Sequence, residues 1–491
     1  MTQPTYSLGS EPPTTHLKNG KGRNTHCRQR LQTIGNTGLL SNSLSIKVFK
    51  IFYAFDIAIK QQVIIDEIFR KFIDKEIKFR YIEKHIQRVI QIGGSKMRKK
   101  MVFLFANLFL LAACSAGPTG GGNETSGSGT AGGNEAGETI KIGLNLELSG
   151  PVAGYGTQEQ EGVELAVEKI NAEGGILGKQ VELITKDNKS ETSEAATAAA
   201  NLATNDQVVA IIGPATSGAT KATIPNVTKA QVPVISPSAT DDSVTMNGDQ
   251  VQEFLFRSCF QDSFQGVILA KYAQEQLGAE KAIILADNSS DYAKGLTKAF
   301  KEEYQGEIVL EENFTKGDKD FQAILTKVKK ADFDVLYIPG YYEEAGLIIK
   351  QARELGIEQP IIGADGFGDE KMVQLAGAEN VSNVFYTGHF STLAPSNETV
   401  EPFIAAFKEK YGKEPSTFNA LAYDAMFMIK QAIEKENAAD SASITKGLAT
   451  LKDFVGVTGN ITMDAQHNPE KSLVVVGFTD GKESSAEVIN P

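Results

Sequence analysis

From residue 139 onward, short apolar runs rich in β-branched residues alternate with longer stretches in which apolar residues recur at helical spacing. The short runs predict strands at 140–146, 181–185, 208–212, 232–235, 282–286, 308–311, 335–338, 360–362 and 384–386. The stretches that predict helices between them include 159–172, 194–204, 263–277, 292–304, 321–330 and 343–355. Strands that alternate with helices form parallel sheets covered on both faces, so the pattern predicts an α/β fold.

The number of these strand–helix units exceeds what one open sheet usually takes, so we expect two doubly wound, Rossmann-like lobes. The first lobe is predicted to end near Phe256 to Phe260. After residue 386 the pattern changes to successive helices, followed by a hairpin at 473–483 that turns at Asp480-Gly481. Open α/β sheets bind ligands at the carboxyl ends of their strands, and functional residues are therefore expected just after each strand.

A basic start, a short apolar run and small residues give 97–113 the anatomy of a signal peptide. The run ends in Leu111-Ala112-Ala113-Cys114, which resembles the bacterial lipoprotein box. That resemblance implies cleavage before Cys114 and diacylglycerol on its sulfur. The next residues are rich in Gly, Ser, Thr and Glu, so 114–138 is expected to be a lipid-anchored flexible tether.

The position of this segment predicts where translation starts, because a signal peptide is read at an N-terminus. We expect the start at Met97 and interpret 1–96 as a non-native upstream extension. The alternative is a genuine helical region, since 54–91 alternates apolar and charged residues at roughly helical spacing.

Charge is distributed unevenly along the chain. Residues 114–491 carry 30 basic and 54 acidic side chains, a net charge of −24. Such an excess repels nucleic-acid phosphates, so no polynucleotide partner is expected. The three cysteines and five histidines are too scattered for a metal cluster, and we expect neither a metal nor a cofactor.

Motifs that would indicate an enzyme are incomplete. The segment 213–220 has the spacing of a phosphate-binding loop, but Ala219 stands where the lysine should be. No Gly-x-Gly-x-x-Gly opens the first β/α turn, which disfavours a dinucleotide enzyme. Ser443 and Lys446 match a Ser-x-x-Lys pattern without its companion motifs. We therefore predict a binding protein and not an enzyme.

Polar residues that follow the predicted strands suit a zwitterion. Hydroxyls and backbone N–H groups at helix N-termini hold a carboxylate, while a carboxylate with tyrosine rings holds an ammonium group. The candidates are Tyr155, Ser217, Ser238, Thr240, Tyr292, Tyr341 and Asp365.

The chain resembles a known family, the periplasmic and lipoprotein receptors for leucine, isoleucine and valine. The resemblance spans Thr139 to about Lys482. The matching stretches are 148–151 with Tyr155-Gly156, 170–176, 212–214, 232–240, 262–266, 318–321, 339–342, 363–366 and 422–425.

This resemblance implies a periplasmic-binding-protein type I fold, in which two lobes joined by a three-stranded hinge close over a ligand like a Venus flytrap. The hinge crossings are expected near 257–261, 387–390 and 458–463. Lobe 1 is then 139–257 plus 390–459, and lobe 2 is 260–387 plus 462–491.

The resemblance also implies roles for the candidate residues. Ser217, Ser238 and Thr240 hold the ligand carboxylate, Tyr341 and Asp365 hold its ammonium group, and Tyr155 and Tyr292 cover it. Two positions depart from the family pattern. Thr216 stands where some relatives have a disulfide-bonded cysteine, and Asp365 stands where some amino-acid binders have a longer glutamate.

The implied function is that of an extracytoplasmic, lipid-anchored receptor, a monomer that hands leucine, isoleucine or valine to an ABC permease and its ATPase. One alternative is an amide, urea or another amino acid as ligand. Another is a sensor, although no apolar run after Thr479 suits a membrane span. Helix capping by Ser217 and Ser238, a turn role for Asp365, and plain packing of Tyr155 or Tyr292 are the structural alternatives.

Overall fold

The computed structural model describes residues 139–490. The expected signal peptide, Cys114, the tether and the upstream extension lie outside the described residues. Within the described part, each of the nine predicted strands is present, with ends shifted by a few residues. The strands form two separate sheets, which confirms the α/β prediction with two lobes.

The first lobe is built on a five-stranded parallel sheet with the order β2-β1-β3-β4-β7. These strands are β1 (Ile140–Leu146), β2 (Val181–Asp187), β3 (Ala210–Ile212), β4 (Val234–Ser236) and β7 (Leu255–Arg257), with a small hairpin of β5 (Met246–Asn247) and β6 (Gln250–Val251) before the last. The helices of this lobe are α1 (Ala153–Ala172), α2 (Thr192–Thr204), α3 (Ser217–Ala230), α9 (Val400–Tyr411), α10 (Thr417–Glu436) and α11 (Ser441–Ala449). The core is continuous from β1 to α11, so the two chain segments form one folding unit.

The second lobe is built on a seven-stranded sheet with the order β17-β16-β12-β11-β10-β8-β9. Its strands are β8 (Lys281–Asp287), β9 (Glu307–Phe314), β10 (Val335–Ile338), β11 (Ile361–Gly363), β12 (Val384–Gly388), β16 (Leu473–Thr479) and β17 (Lys482–Ile489). The last two are antiparallel, as the predicted hairpin requires. Its helices are α4 (Asp262–Glu275), α5 (Asp291–Glu303), α6 (Gln322–Val328), α7 (Tyr342–Glu354) and α8 (Glu370–Ala376).

Helix α3 was not among the helices that the pattern predicted. Pro225 lies inside it, and four further residues of the helix are Ser or Thr. Proline removes a helical hydrogen bond, and Ser and Thr compete with the backbone for others, so both weaken the helical signal. Packing against its neighbour α2 stabilises the helix in spite of this composition.

The third hinge crossing lies later in the chain than the resemblance implied. A small antiparallel sheet of β13 (Phe454–Gly456), β14 (Gly459–Met463) and β15 (Pro469–Glu470) follows α11. Ile461 and Met463 are buried in the core of the first lobe, and the Met463 N–H donates to the Leu451 carbonyl at 3.0 Å. Residues 462–470 therefore pack with lobe 1, and the chain enters lobe 2 between Glu470 and Leu473.

The two lobes also contact each other. Tyr155 and Phe418 of lobe 1 share a buried cluster with side chains of lobe 2, including Tyr342. The lobes thus enclose the space between the carboxyl ends of their strands. Among the described residues, the helices lack the length or the apolar content that crossing a lipid bilayer demands.

Candidate functional site

A narrow, nearly filled cleft lies between the lobes, with a cavity volume of about 10 Å³. Lobe 1 lines it with residues of three helices, α1, α3 and α10, and of the loops after β3 and β4, and lobe 2 lines it with the ends of three β/α units. The lining residues are Tyr155, Ala215, Thr216, Ser217, Ser238, Tyr292, Tyr341, Asp365, Gly366 and Phe418. Six of the seven candidate ligand-binding residues from the sequence meet here.

The lobe 1 wall follows directly from strands β3 and β4. The turn after β3 passes through Gly213, which has φ +91° and whose missing Cβ would lie 2.4 Å from the Asn145 carbonyl oxygen. After this turn, Ser217 is the first residue of α3, and it is 1% exposed. The Asp241 N–H donates to Ser217 Oγ at 3.1 Å. Because that oxygen accepts from the backbone, its own proton can be donated elsewhere.

Thr240 does not line the cleft, unlike the role that the resemblance implied. It is fully buried, its carbonyl accepts from the Asp262 N–H at 2.9 Å, and its Oγ1 has no hydrogen-bond partner among the described residues. The strand-end pattern could not separate Thr240 from Ser238, because both follow β4 within four residues.

Asp365 occupies the lobe 2 wall, where it follows β11 and is 2% exposed. Tyr292 Oη and Gln265 Nε2 donate to its Oδ1 at 2.7 and 3.0 Å. The His389 Nε2 atom lies 3.4 Å from its Oδ2. Burial lowers the pKa of His389 to about 4, so the imidazole is neutral at neutral pH. Within residues 139–490, the Asp365 carboxyl therefore has no charged side chain as an ion-pair partner.

Three tyrosines surround this carboxyl group. The rings of Tyr292 and Tyr341 stack at 5.0 Å between centroids, and the ring of Tyr155 meets that of Tyr341 edge-on at 5.7 Å. Burial raises the pKa of all three phenols well above the usual value, so they remain protonated. The Tyr155 hydroxyl also donates to the Gly366 carbonyl of the other lobe at 2.6 Å. Tyr155 therefore covers the cleft and also links the lobes.

Other contributors to the site were not identified from the sequence. Phe418 is in the first turn of α10 and lines the cleft from a part of the chain that the strand-end argument does not consider. Gln265 is fully buried and contacts Asp365, although it stands inside a stretch that carried the family resemblance. In this site, hydroxyl groups of lobe 1 face a carboxyl group and aromatic rings of lobe 2.

Comparison with known proteins matches this architecture. A family model described as periplasmic binding protein matches residues 139–482. The chain is 30% identical over 332 residues to the leucine-, isoleucine-, valine-, threonine-, and alanine-binding protein of Pseudomonas aeruginosa, covering 67% of this chain and 87% of that protein. It is 32% identical over 327 residues to the Leu/Ile/Val-binding protein BraC3 of Rhizobium johnstonii, covering 66% of this chain and 87% of that protein.

Solved structures agree with these relatives. The branched-chain amino acid transporter substrate binding protein LivJ of Streptococcus pneumoniae, in complex with isoleucine, is 51% identical, with a TM-score of 0.70 over 72% of this chain and 100% of that one. The leucine binding protein LivK of Thermotoga maritima is 34% identical, with a TM-score of 0.68 over 72% of this chain and 99% of that one. From fold, site position and sequence together, the chain belongs to the periplasmic binding protein family.

Proposed function

We propose that this protein is the extracytoplasmic receptor of an ABC importer and binds leucine, isoleucine or valine by closure of its two lobes. The observation that carries the proposal is the buried Asp365 carboxyl group, which faces the lobe 1 hydroxyls across the cleft and has no cationic partner among the described residues. The similarity to the LivJ protein solved with isoleucine supports the choice of ligand. We propose binding without turnover, and no cofactor.

The ligand's charges match the two walls. Its carboxylate lies beside Ser217 and Ser238, where the first turn of α3 has backbone N–H groups without intrahelical partners. Its ammonium group lies beside Asp365 and Tyr341, where the carboxyl group and the ring face attract a cation. Its apolar side chain lies against Phe418 and Tyr155, which are both 2% exposed.

Binding and closure are coupled because only the closed form places both walls on one ligand. Isoleucine titrated into ligand-free protein is expected to release heat at a single site and to reduce the radius of gyration measured by small-angle scattering. A matched titration with acetamide, which lacks both charges, is the control. Absence of binding by all three branched-chain amino acids, or tight binding of the amide instead, contradicts the proposed function.

We further propose that the receptor works as a monomer beside a permease and its ATPase, since one chain supplies both walls of the cleft. The acyl chains on Cys114 hold it at the outer face of the membrane, and the tether to residue 138 lets the lobes reach the permease.

Cys114→Ala is expected to move the protein from the membrane fraction to the medium or the soluble extracytoplasmic fraction. Two or more acyl chains anchor a protein firmly to a membrane, and the variant cannot carry the chains attached to the Cys114 sulfur. Isoleucine affinity and melting temperature should stay unchanged, since the cleft and both lobe cores are built from residues 139–490. The measurement is fractionation with immunodetection, with Ser115→Ala as the matched control. Membrane retention of Cys114→Ala contradicts the anchor.

A further inference from the structure

A second buried carboxyl group lies behind the lobe 1 wall. Glu159 sits on α1 with 0% of its surface exposed, and its Oε1 is 2.5 Å from Ser238 Oγ. The same hydroxyl oxygen is 2.9 Å from the Ala215 carbonyl oxygen. Its other oxygen, Oε2, has no hydrogen-bond partner among the described residues. Ser238 and Ala215 both line the cleft, so this contact reaches the ligand site.

The number of hydrogens on Ser238 Oγ indicates which group donates in each of its two contacts, with Glu159 and with Ala215. A serine hydroxyl carries one hydrogen, yet Ser238 Oγ faces two oxygens at hydrogen-bonding distance. If Glu159 were ionised, one of these two close oxygen pairs would have no proton between its atoms. If Glu159 is protonated, it donates to Ser238 Oγ, and Ser238 donates to Ala215. A neutral acid also leaves the unpartnered Oε2 far less costly to bury than a carboxylate oxygen.

Glu147 provides an internal contrast on the same wall. It follows β1, is 0% exposed, and accepts from the N–H groups of Ala215 and Thr216 at 3.0 and 3.1 Å. The Thr216 hydroxyl donates to it as well, at 2.8 Å. Three donors surround the Glu147 carboxyl group, as an ionised carboxylate requires. Glu159 instead contacts the Ser238 hydroxyl, whose single hydrogen is also within reach of the Ala215 carbonyl.

The electrostatic surroundings point the same way. Burial raises the pKa of Glu159 well above its usual range, the hydrogen bond with Ser238 opposes this, and the Glu147 charge raises it further. Asp369 also faces α1, where Gln158 Nε2 donates to it at 2.9 Å, and Asn419 of α10 donates to the Gln158 carbonyl at 2.7 Å. Asp369 and Asn419 are not cations, so neither of them stabilises an ionised Glu159.

We propose that Glu159 is protonated in the binding-competent protein and acts as a positioning residue for recognition of the ligand carboxylate. Its proton fixes the Ser238 hydroxyl toward Ala215, so that Ser217 is the hydroxyl that donates to the ligand. Its neutrality avoids a second negative charge, in addition to that of Glu147, on the wall that faces the bound carboxylate. The inference rests on the proposed function, in which an amino-acid carboxylate lies beside Ser217 and Ser238.

The first test is the pH dependence of isoleucine affinity, measured by calorimetry for the wild type, Glu159→Gln and Glu159→Ala. An amide donates to Ser238 as the protonated acid does, but it cannot ionise. The ratio of wild-type Kd to Glu159→Gln Kd should therefore rise with pH, approaching about tenfold per pH unit above the pKa of Glu159. Titration of the ligand's own amino group cancels in this ratio. Glu159→Ala should bind about tenfold more weakly than Glu159→Gln at neutral pH, because the donor to Ser238 is lost.

The second test uses ligand-free protein. Because the folded-state pKa of Glu159 is raised, its contribution to stability is fully present below the unfolded-state pKa and is lost as the pH rises through the folded-state pKa. The wild type should lose melting temperature with rising pH relative to Glu159→Gln. Glu147→Gln is the matched control, and it should lower the melting temperature across the pH range because its NH₂ group meets donors.

These measurements separate the two claims. A wild type that binds no branched-chain amino acid, but shows the stability difference from Glu159→Gln, overturns the proposed function and leaves the protonated Glu159 standing. A wild type that binds isoleucine, but shares both its affinity profile and its stability profile with Glu159→Gln, overturns the inference and leaves the proposed function standing.

Discussion

Asp365→Asn is expected to weaken isoleucine binding by two or more orders of magnitude. In the proposed complex, the ligand's ammonium group pairs with the Asp365 carboxyl group inside the closed cleft, and leaving one buried charge unpaired costs about 3–5 kcal/mol. Each 1.4 kcal/mol corresponds to about a tenfold change in Kd. The melting temperature of the ligand-free protein should change little, because asparagine keeps an oxygen for Tyr292 and Gln265 and presents its NH₂ group to His389 Nε2.

Asp262→Asn is the matched control for this experiment. Asp262 is fully buried in the same network, and Gln265 Nε2 donates to its Oδ1 at 3.0 Å, but it does not line the cleft. Burial and the neighbouring Asp365 charge raise its pKa well above the usual range, so its substitution removes little charge. Calorimetry with leucine, isoleucine and valine should show a small effect of Asp262→Asn. Equal effects of the two variants, or undiminished binding by Asp365→Asn, would mean that Asp365 is not the ammonium partner.

Asp424→Ala is expected to lower the free energy of unfolding by about 3–5 kcal/mol, the cost of breaking a buried charged network. Asp424 lies on α10 and is 1% exposed. It accepts from the Val457 and Thr458 N–H groups, both at 2.8 Å, and from the Thr458 hydroxyl at 2.7 Å. Alanine leaves these donors buried without this acceptor. It also removes the Asp424 charge that favours protonated Lys471, whose pKa burial lowers to about 8.

Urea unfolding followed by circular dichroism measures this change. Asp424→Asn is the control, because it keeps one acceptor oxygen and should lose less stability than alanine. Lys471 Nζ donates to the Ser258 carbonyl at 3.2 Å and to the Thr458 hydroxyl, which in turn donates to Asp424. Asp424 therefore connects α10, through Thr458 and Lys471, to residues next to two of the crossings between the lobes. An unchanged urea midpoint for Asp424→Ala would show that water replaces the carboxylate at this position.

Much of the candidate site could be predicted from sequence because each half of it follows from a local rule. Ser217 and Ser238 follow, within five and three residues, apolar runs that predict buried strands, and Asp365 follows another such run and lies between Gly363 and Gly366. Parallel strands bring their carboxyl ends to one edge of a sheet, so residues far apart in the chain meet there. The same reasoning could not separate out Thr240, which is fully buried and is not among the residues that line the cleft.

The sequence by itself determined the alternation of strands and helices, the two lobes, the family and six of the residues that line the cleft, because periodicity and strand-end position are local properties of the chain. Tertiary structure alone decided where the third crossing lies, since Ile461 and Met463 are drawn into the lobe 1 core. It also decided the protonation pattern of the wall, because the contact between Glu159 and Ser238 joins residues 79 positions apart. Hydrogen-bond partners at that separation depend on how helices and sheets pack, which no local pattern encodes.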